Sequence, residues 1–178
     1  MSDNVEVGRG LNRIFIGQLL VIVAMILAII PPAGLFAVVA ALVLPMMGLY
    51  QAGRVDKGYH TALVLSVVAR VSGLLCRSIG VPDLLGYILE FAVVYLVCTK
   101  TARRLEAEGD LSTAARGRFA WKFYGGCTAL VVVCSILSLI PLVNILAMVV
   151  IVPASIASVV GGILLLIFLY RACKSLRY

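Results

Sequence analysis

Residues 61–98, TALVLSVVARVSGLLCRSIGVPDLLGYILEFAVVYLVC, decide how this chain folds. Two apolar runs meet there at Gly80-Val81-Pro82 and carry charges at mirrored distances from the joint. Arg70 and Glu90 each lie ten residues from Gly80, and Arg77 and Asp83 each lie three. Each run is close to the ~20 residues that a helix needs to cross ~30 Å of hydrocarbon. In an antiparallel pair of helices, equal distance from the turn means equal depth in a bilayer. The spacing therefore predicts two stacked Arg–carboxylate pairs, Arg70 with Glu90 near mid-membrane and Arg77 with Asp83 nearer the surface.

The rest of the composition points the same way. Of 178 residues 63% are hydrophobic and only 13% charged, with a mean hydropathy of +1.14. Soluble domains are about half apolar and about a quarter charged, so a water-facing globule is excluded. Inside lipid every backbone polar group must be bonded internally, which leaves helices or closed barrels. Long apolar runs without polar alternation are helices. The net charge of +7 does not point to nucleic acid, because no basic stripe with interleaved aromatics exists to track a phosphate backbone.

Six spans follow: Leu11 to Ile30, Leu35 to Tyr50, Thr61 to Ile79, Leu84 to Cys98, Phe119 to Ile140 and Leu142 to Tyr170. The segments after the first, third and fifth are short and hold prolines: Ile30-Pro31-Pro32-Ala33-Gly34, Gly80-Val81-Pro82-Asp83 and Ile140-Pro141-Leu142. Proline ends a preceding helix and is accepted in the first turn of the next, so these are hairpin tips. The expected fold is an all-α membrane protein, one polytopic domain over 1–178, with six transmembrane helices as three proline-tipped hairpins. Thirteen of the fifteen Lys and Arg residues fall on the side away from the tips. The positive-inside rule then places both termini and both basic loops in the cytoplasm, at the cell membrane. Residues 1–10 are a polar N-terminus, its first eight expected to be frayed. No cleavable signal is expected, since Asp3 and Glu6 precede the first apolar run.

An internal repeat is a further expectation. Shifting by fifty residues aligns Pro32 with Pro82, Leu35 with Leu85, Ala52 with Ala102 and Arg54 with Arg104. Shifting by 110 aligns Ile30-Pro31 with Ile140-Pro141. The alternative is that any three apolar hairpins with basic ends look alike. The last span is long, 29 residues or roughly 43 Å at 1.5 Å per residue, and must tilt, protrude or bend at Pro153. Beside that proline, Ala157-xxx-Gly161 and Ser158-xxx-Gly162 allow close helix packing, as Ala24-xxx-Ala28 does in the first span. Packing within the chain is the default for these; a homo-oligomer or a membrane partner subunit is the alternative.

The basic loop, 99–120, is expected to be helical at both ends, with Gly109 ending one helix and Asp110 or Ser112 capping the next. Its charge favours anionic lipid headgroups as partners, and Phe119, Trp121 and Tyr124 suit an interfacial anchor.

At this loop the sequence resembles a family. Glu108-Gly109-Asp110, Ala115-Arg116-Gly117, Trp121-Lys122, Leu139-Ile140-Pro141 and Phe168-Leu169-Tyr170 are similar to a set of small bacterial multi-pass membrane proteins of uncharacterised function. The likeness covers most of the second half and, more loosely, the first hairpin. It implies a recurring scaffold and no activity. Ala24-xxx-Ala28 is similar to the first-span contact motif in substrate-binding subunits of energy-coupling-factor transporters, which would imply a ligand pocket and a coupling partner.

Chemistry is sparse. Five cysteines (Cys76, Cys98, Cys127, Cys134, Cys173) form no CxxC and no ligand spacing with the lone His60, so neither a metal, a cofactor nor a disulfide framework is expected. As residues they read as small apolar packers, with acylation of Cys98 or Cys173 the alternative. No nucleophile–base constellation or phosphate loop marks an enzyme. The best candidates are Arg70, Glu90, Tyr87, Arg77 and Asp83. Intramembrane charges are costly enough that they face each other or water. They either line a path for a solute or ion, as in a transport or channel-type protein, or lock one hairpin in register within a scaffold or regulatory subunit.

Overall fold

The computed structural model of the chain describes residues 2–27, 31–79, 83–137 and 144–177. These form six helices: α1 (Ser2–Leu27), α2 (Pro31–Gly53), α3 (Lys57–Ile79), α4 (Leu84–Ala107), α5 (Leu111–Leu137) and α6 (Asn144–Arg177). All six are long and apolar enough to cross a membrane. The tips at Gly80-Val81-Pro82 and Ile140-Pro141-Leu142 lie outside the described residues; α2 does begin at Pro31, where the missing amide costs nothing.

Every helix packs on its neighbours in sequence, and α6 returns to pack on α1, closing a ring. Across the ring only α4 and α6 meet, lightly, among the described residues. The shared core sits at one end. Val7, Leu11, Tyr59, Cys98, Leu105, Phe168, Leu169 and Leu176 are buried together, and every one lies near the basic end of its helix. Towards the other end burial is confined to contacts between neighbours, through small residues such as Ala24, Ala37, Ala41, Ala69 and Ala154. The six helices are thus knitted together at their basic ends.

Helices run further than the spans at that end, and this corrects one expectation. Residues 2–8, expected to be frayed, are helical: α1 begins at Ser2, and Val7 is fully buried in the core. Asn4 explains the order. Its side chain donates to Glu108 and accepts from Arg104 at 3.3 Å, tying the start of α1 to the end of α4. The last helix likewise continues through Pro153 to Arg177 and spends its extra length burying Ala172, Cys173 and Leu176.

α1 and α2 make the tightest crossing. A Cβ on Gly48 would stand 2.5 Å from the Gly10 carbonyl oxygen, and one on Gly10 would stand 2.7 Å from that of Gly48. Beside them the Pro45 ring fills the space in front of Gly17, with Cδ 2.4 Å from where a Cβ would be. Backbones this close gain dispersion contacts that larger side chains would forbid, the usual way helices associate where lipid removes the hydrophobic drive.

The loop between α4 and α5 is short because Gly109 takes a φ of +86°, a left-handed conformation that a Cβ would strain. Asp110 N donates to Leu105 O at 2.9 Å and Gly109 N to Glu106 O at 3.0 Å, the paired bonds of a Schellman end. Asp110 then caps α5, accepting from Thr113 N at 3.1 Å and Ser112 Oγ at 3.0 Å. Bonds to the Thr113 side chain and amide hold its carboxyl below the ordinary aspartate value.

Candidate functional site

Asp83 and Arg77 are three residues either side of Gly80, yet the structure does not pair them. Asp83 caps α4 instead, accepting from Gly86 N at 2.8 Å. Its carboxylate also accepts from Ser72 Oγ at 3.4 Å and covers Gly73, with Oδ2 2.8 Å from where a Cβ would stand. The open amides at a helix N-terminus claim a carboxylate one residue ahead of them more readily than a flexible arginine does. Asp83 therefore meets α3 about one turn deeper than mirror symmetry puts it, and Arg77 stays exposed.

Arg70 and Glu90 also form no ion pair among the described residues, but they remain neighbours. Glu90 is largely surrounded by protein and lies within electrostatic range of Arg70 and Asp83, and Tyr124 of α5 lies within the same range of Glu90 and Tyr87. The helical faces show where the two charges point. At 3.6 residues per turn, Glu90 falls in the middle of the stripe formed by Gly86, Val97 and Thr101, all buried. Below it, that stripe faces the shared core. Arg70 shares a face with Tyr59, Leu63 and Ser66, but Leu74 one turn beyond it is 70% exposed, so Arg70 lies at the border between that face and the exposed one that bears Val64, Val68, Val71 and Leu75. Glu90 thus belongs to the inward side of the ring, with Arg70 at its edge.

Glu90 is nevertheless exposed, Tyr87 beside it is 43% exposed, and Arg70 is half-buried. An inward-facing residue can be exposed only where the interior is open. α3 and α5 flank α4 without touching each other among the described residues. The Nε of Arg70 is buried and has no hydrogen-bond partner, a donor that ordinarily finds one.

A second polar cluster lies at the basic end, outside the spans and so away from their charge pattern. Asp56 lies 3.5 Å from Lys100 Nζ and 3.7 Å from Arg104 Nη2, and its Oδ1 accepts from Gly58 N at 2.8 Å, capping α3. The Lys100 stem reaches Asp56 by lying across Gly58. One turn inward, the buried Tyr59 and Thr101 hydroxyls share a hydrogen bond of 2.8 Å. Partial burial pushes Asp56 up, but the Gly58 amide, Lys100 and Arg104 outweigh it and hold the carboxyl below its ordinary value. A depressed folded-state pKa stabilises the fold above the unfolded value of ~4 and is lost as pH falls through it. We expect Asp56→Asn to lower stability by ~1–2 kcal/mol at neutral pH and to flatten the loss of stability on acidification below pH ~4; thermal unfolding across pH checks both.

The packing motifs divide. Gly161 is buried against α5, where a Cβ would stand 3.4 Å from Phe123 Cδ1 and 3.6 Å from Tyr124 Cα; Ala157 lies one turn away, half-buried. Gly162 faces open space, and Ser158 turns its hydroxyl back to Ala154 O at 3.0 Å. Ala24 is buried between α1 and α2; Ala28 lies outside the described residues. Cys98 and Cys173 are buried in the core, which sets them among the packers and out of reach of acylation. Trp121 anchors an aromatic cluster with Tyr95 (4.9 Å, edge-on) and Phe91 (6.4 Å). Among the described residues no His, Cys, Asp and Glu cluster could hold a metal.

Geometry and composition together define the class: an all-helical chain whose six apolar helices are compatible with a multi-pass membrane protein. Comparison with protein-family models, curated proteins and solved structures finds no match.

Proposed function

We propose that the protein is a small transport or channel-type membrane protein in which Arg70 and Glu90 line the solute path, with Tyr87 and Tyr124 beside them. The supporting observation is that Glu90 lies at the centre of the inward stripe of α4 and is exposed. A residue kept there only to hold register would be buried against its partner, and among the described residues Glu90 has no such partner. The basic ends face the cytoplasm in this proposal, with anionic headgroups around them, so a recess between α3, α4 and α5 above the knitted end opens to the outside. The likeness to small bacterial multi-pass membrane proteins fits this architecture and adds no activity to it.

Cysteines placed singly at Ser66 and Tyr87, in a background where the native five are replaced, test the path. An impermeant maleimide added outside intact cells is expected to label both, and to label neither once a permeant thiol reagent has been applied first. Protection of both positions in intact and in permeabilised cells would leave an interaction or scaffold module as the better reading.

A further inference from the structure

The recess carries charge of both signs, and the two signs are not spent on each other. Asp83 is already engaged by Gly86 N and Ser72 Oγ, and its charge sits on the positive end of the α4 dipole. Arg70 and Glu90 are what remain. We propose that the recess binds a small zwitterionic solute, its carboxylate on Arg70 and its ammonium group on Glu90. This rests on the recess proposed above and names the class of solute that fits it.

Charge balance carries the choice. A lone anion on Arg70 would leave Glu90 unpaired beside it, and a lone cation on Glu90 would leave Arg70 uncompensated; either is disfavoured between apolar walls, where charges are screened less than in bulk water. A net-neutral guest with separated charges satisfies both walls at once. The donor inventory agrees. The guanidinium offers a planar fork suited to a carboxylate, and its buried Nε has no protein acceptor. An ionised Glu90 accepts only, and an ammonium group donates three times. Tyr87 and Tyr124, in the same neighbourhood, add ring faces that favour a cation. Three consecutive helices wall the recess, so the guest is small.

A phosphatidylethanolamine headgroup joins the same two charges, but Arg70 and Glu90 lie in the middle of their apolar spans, below the depth of headgroups. The test uses the full chain in nanodiscs of phosphatidylglycerol, which lacks the ammonium group. Thermal unfolding is followed with glycine, alanine or leucine at millimolar concentration, and with propionate or propylamine as the two separated halves. At least one amino acid is expected to raise the Tm by about 2 °C or more, with neither half doing so. Arg70→Gln and Glu90→Gln should each abolish the shift. The swap of Arg70→Glu with Glu90→Arg should restore it, because the guest can turn round. If a glutamine variant does not fold, Arg70→Lys should still fold and weaken the apparent affinity roughly tenfold. A shift from one half alone, a shift that survives both glutamine variants, or stabilisation by phosphatidylethanolamine without amino acids overturns the proposal. Maleimide labelling at positions 66 and 87 with no amino-acid effect removes the solute class and leaves the recess; no labelling removes the recess itself.

Discussion

Gly48→Leu is expected to separate α1 from α2 and to lower stability by more than ~3 kcal/mol, beyond the usual cost of overpacking a core. The atom in the way is backbone: a Cβ at position 48 would stand 2.5 Å from the Gly10 carbonyl oxygen and 2.8 Å from Ile14 Cγ1. A side-chain tip could rotate aside, whereas a helical carbonyl moves only with its helix. Even Gly48→Ala is expected to cost ~1–3 kcal/mol, despite the ~1 kcal/mol that alanine ordinarily gains over glycine in a helix. Gly126→Ala and Gly162→Ala are the controls. A Cβ at either meets nothing within 4 Å, so helix propensity alone decides, and both are expected to be neutral or slightly stabilising. Unfolding in a detergent titration ranks the four variants. A Gly48→Ala protein as stable as Gly162→Ala would mean that the crossing is not as close as described.

What was legible in the sequence differs between the fold and the site. Six helices follow from hydropathy, because in lipid length and composition leave the backbone no other choice. The helix ends were harder. Asn4 looks like part of a loose polar tail, and only its bonds to Arg104 and Glu108 show why α1 begins so early. Arg70 and Glu90 stand out in the sequence because each is a charge in the middle of an apolar span, ten residues from Gly80. Their expected ion pair did not follow, because mirror symmetry about Gly80 ignores which groups each side chain meets first. Asp83 shows this most plainly: a capping residue is set by local amides before any partner across the hairpin is available. The same mirror rule does predict another pair. Tyr59 and Thr101 each lie twenty-one residues from Gly80 and do meet. That signal was in the spacing, hidden because neither residue is charged.

The Tyr59–Thr101 pair is where the knitted end can be tested most directly. Tyr59 is among the largest fully buried side chains, and Thr101 is fully buried beside it. Tyr59→Ala is expected to cost ~3–5 kcal/mol, as for other buried aromatics, since the ring is buried in the shared core where α3 packs on α2 and α4. Tyr59→Phe keeps the ring and removes the hydroxyl, so it isolates the hydrogen bond of 2.8 Å. Its cost is expected near ~1 kcal/mol, within the range for interhelical bonds in membrane proteins. Thr101→Val should cost about the same by orphaning the phenol. Removing both partners leaves no unsatisfied group, so the double variant is expected to be no less stable than either single one. A double-mutant cycle by thermal unfolding in nanodiscs reads the coupling. Strict additivity would show that the two hydroxyls find other partners, and that packing and the Asp56 ion pairs hold the basic ends of α3 and α4 together.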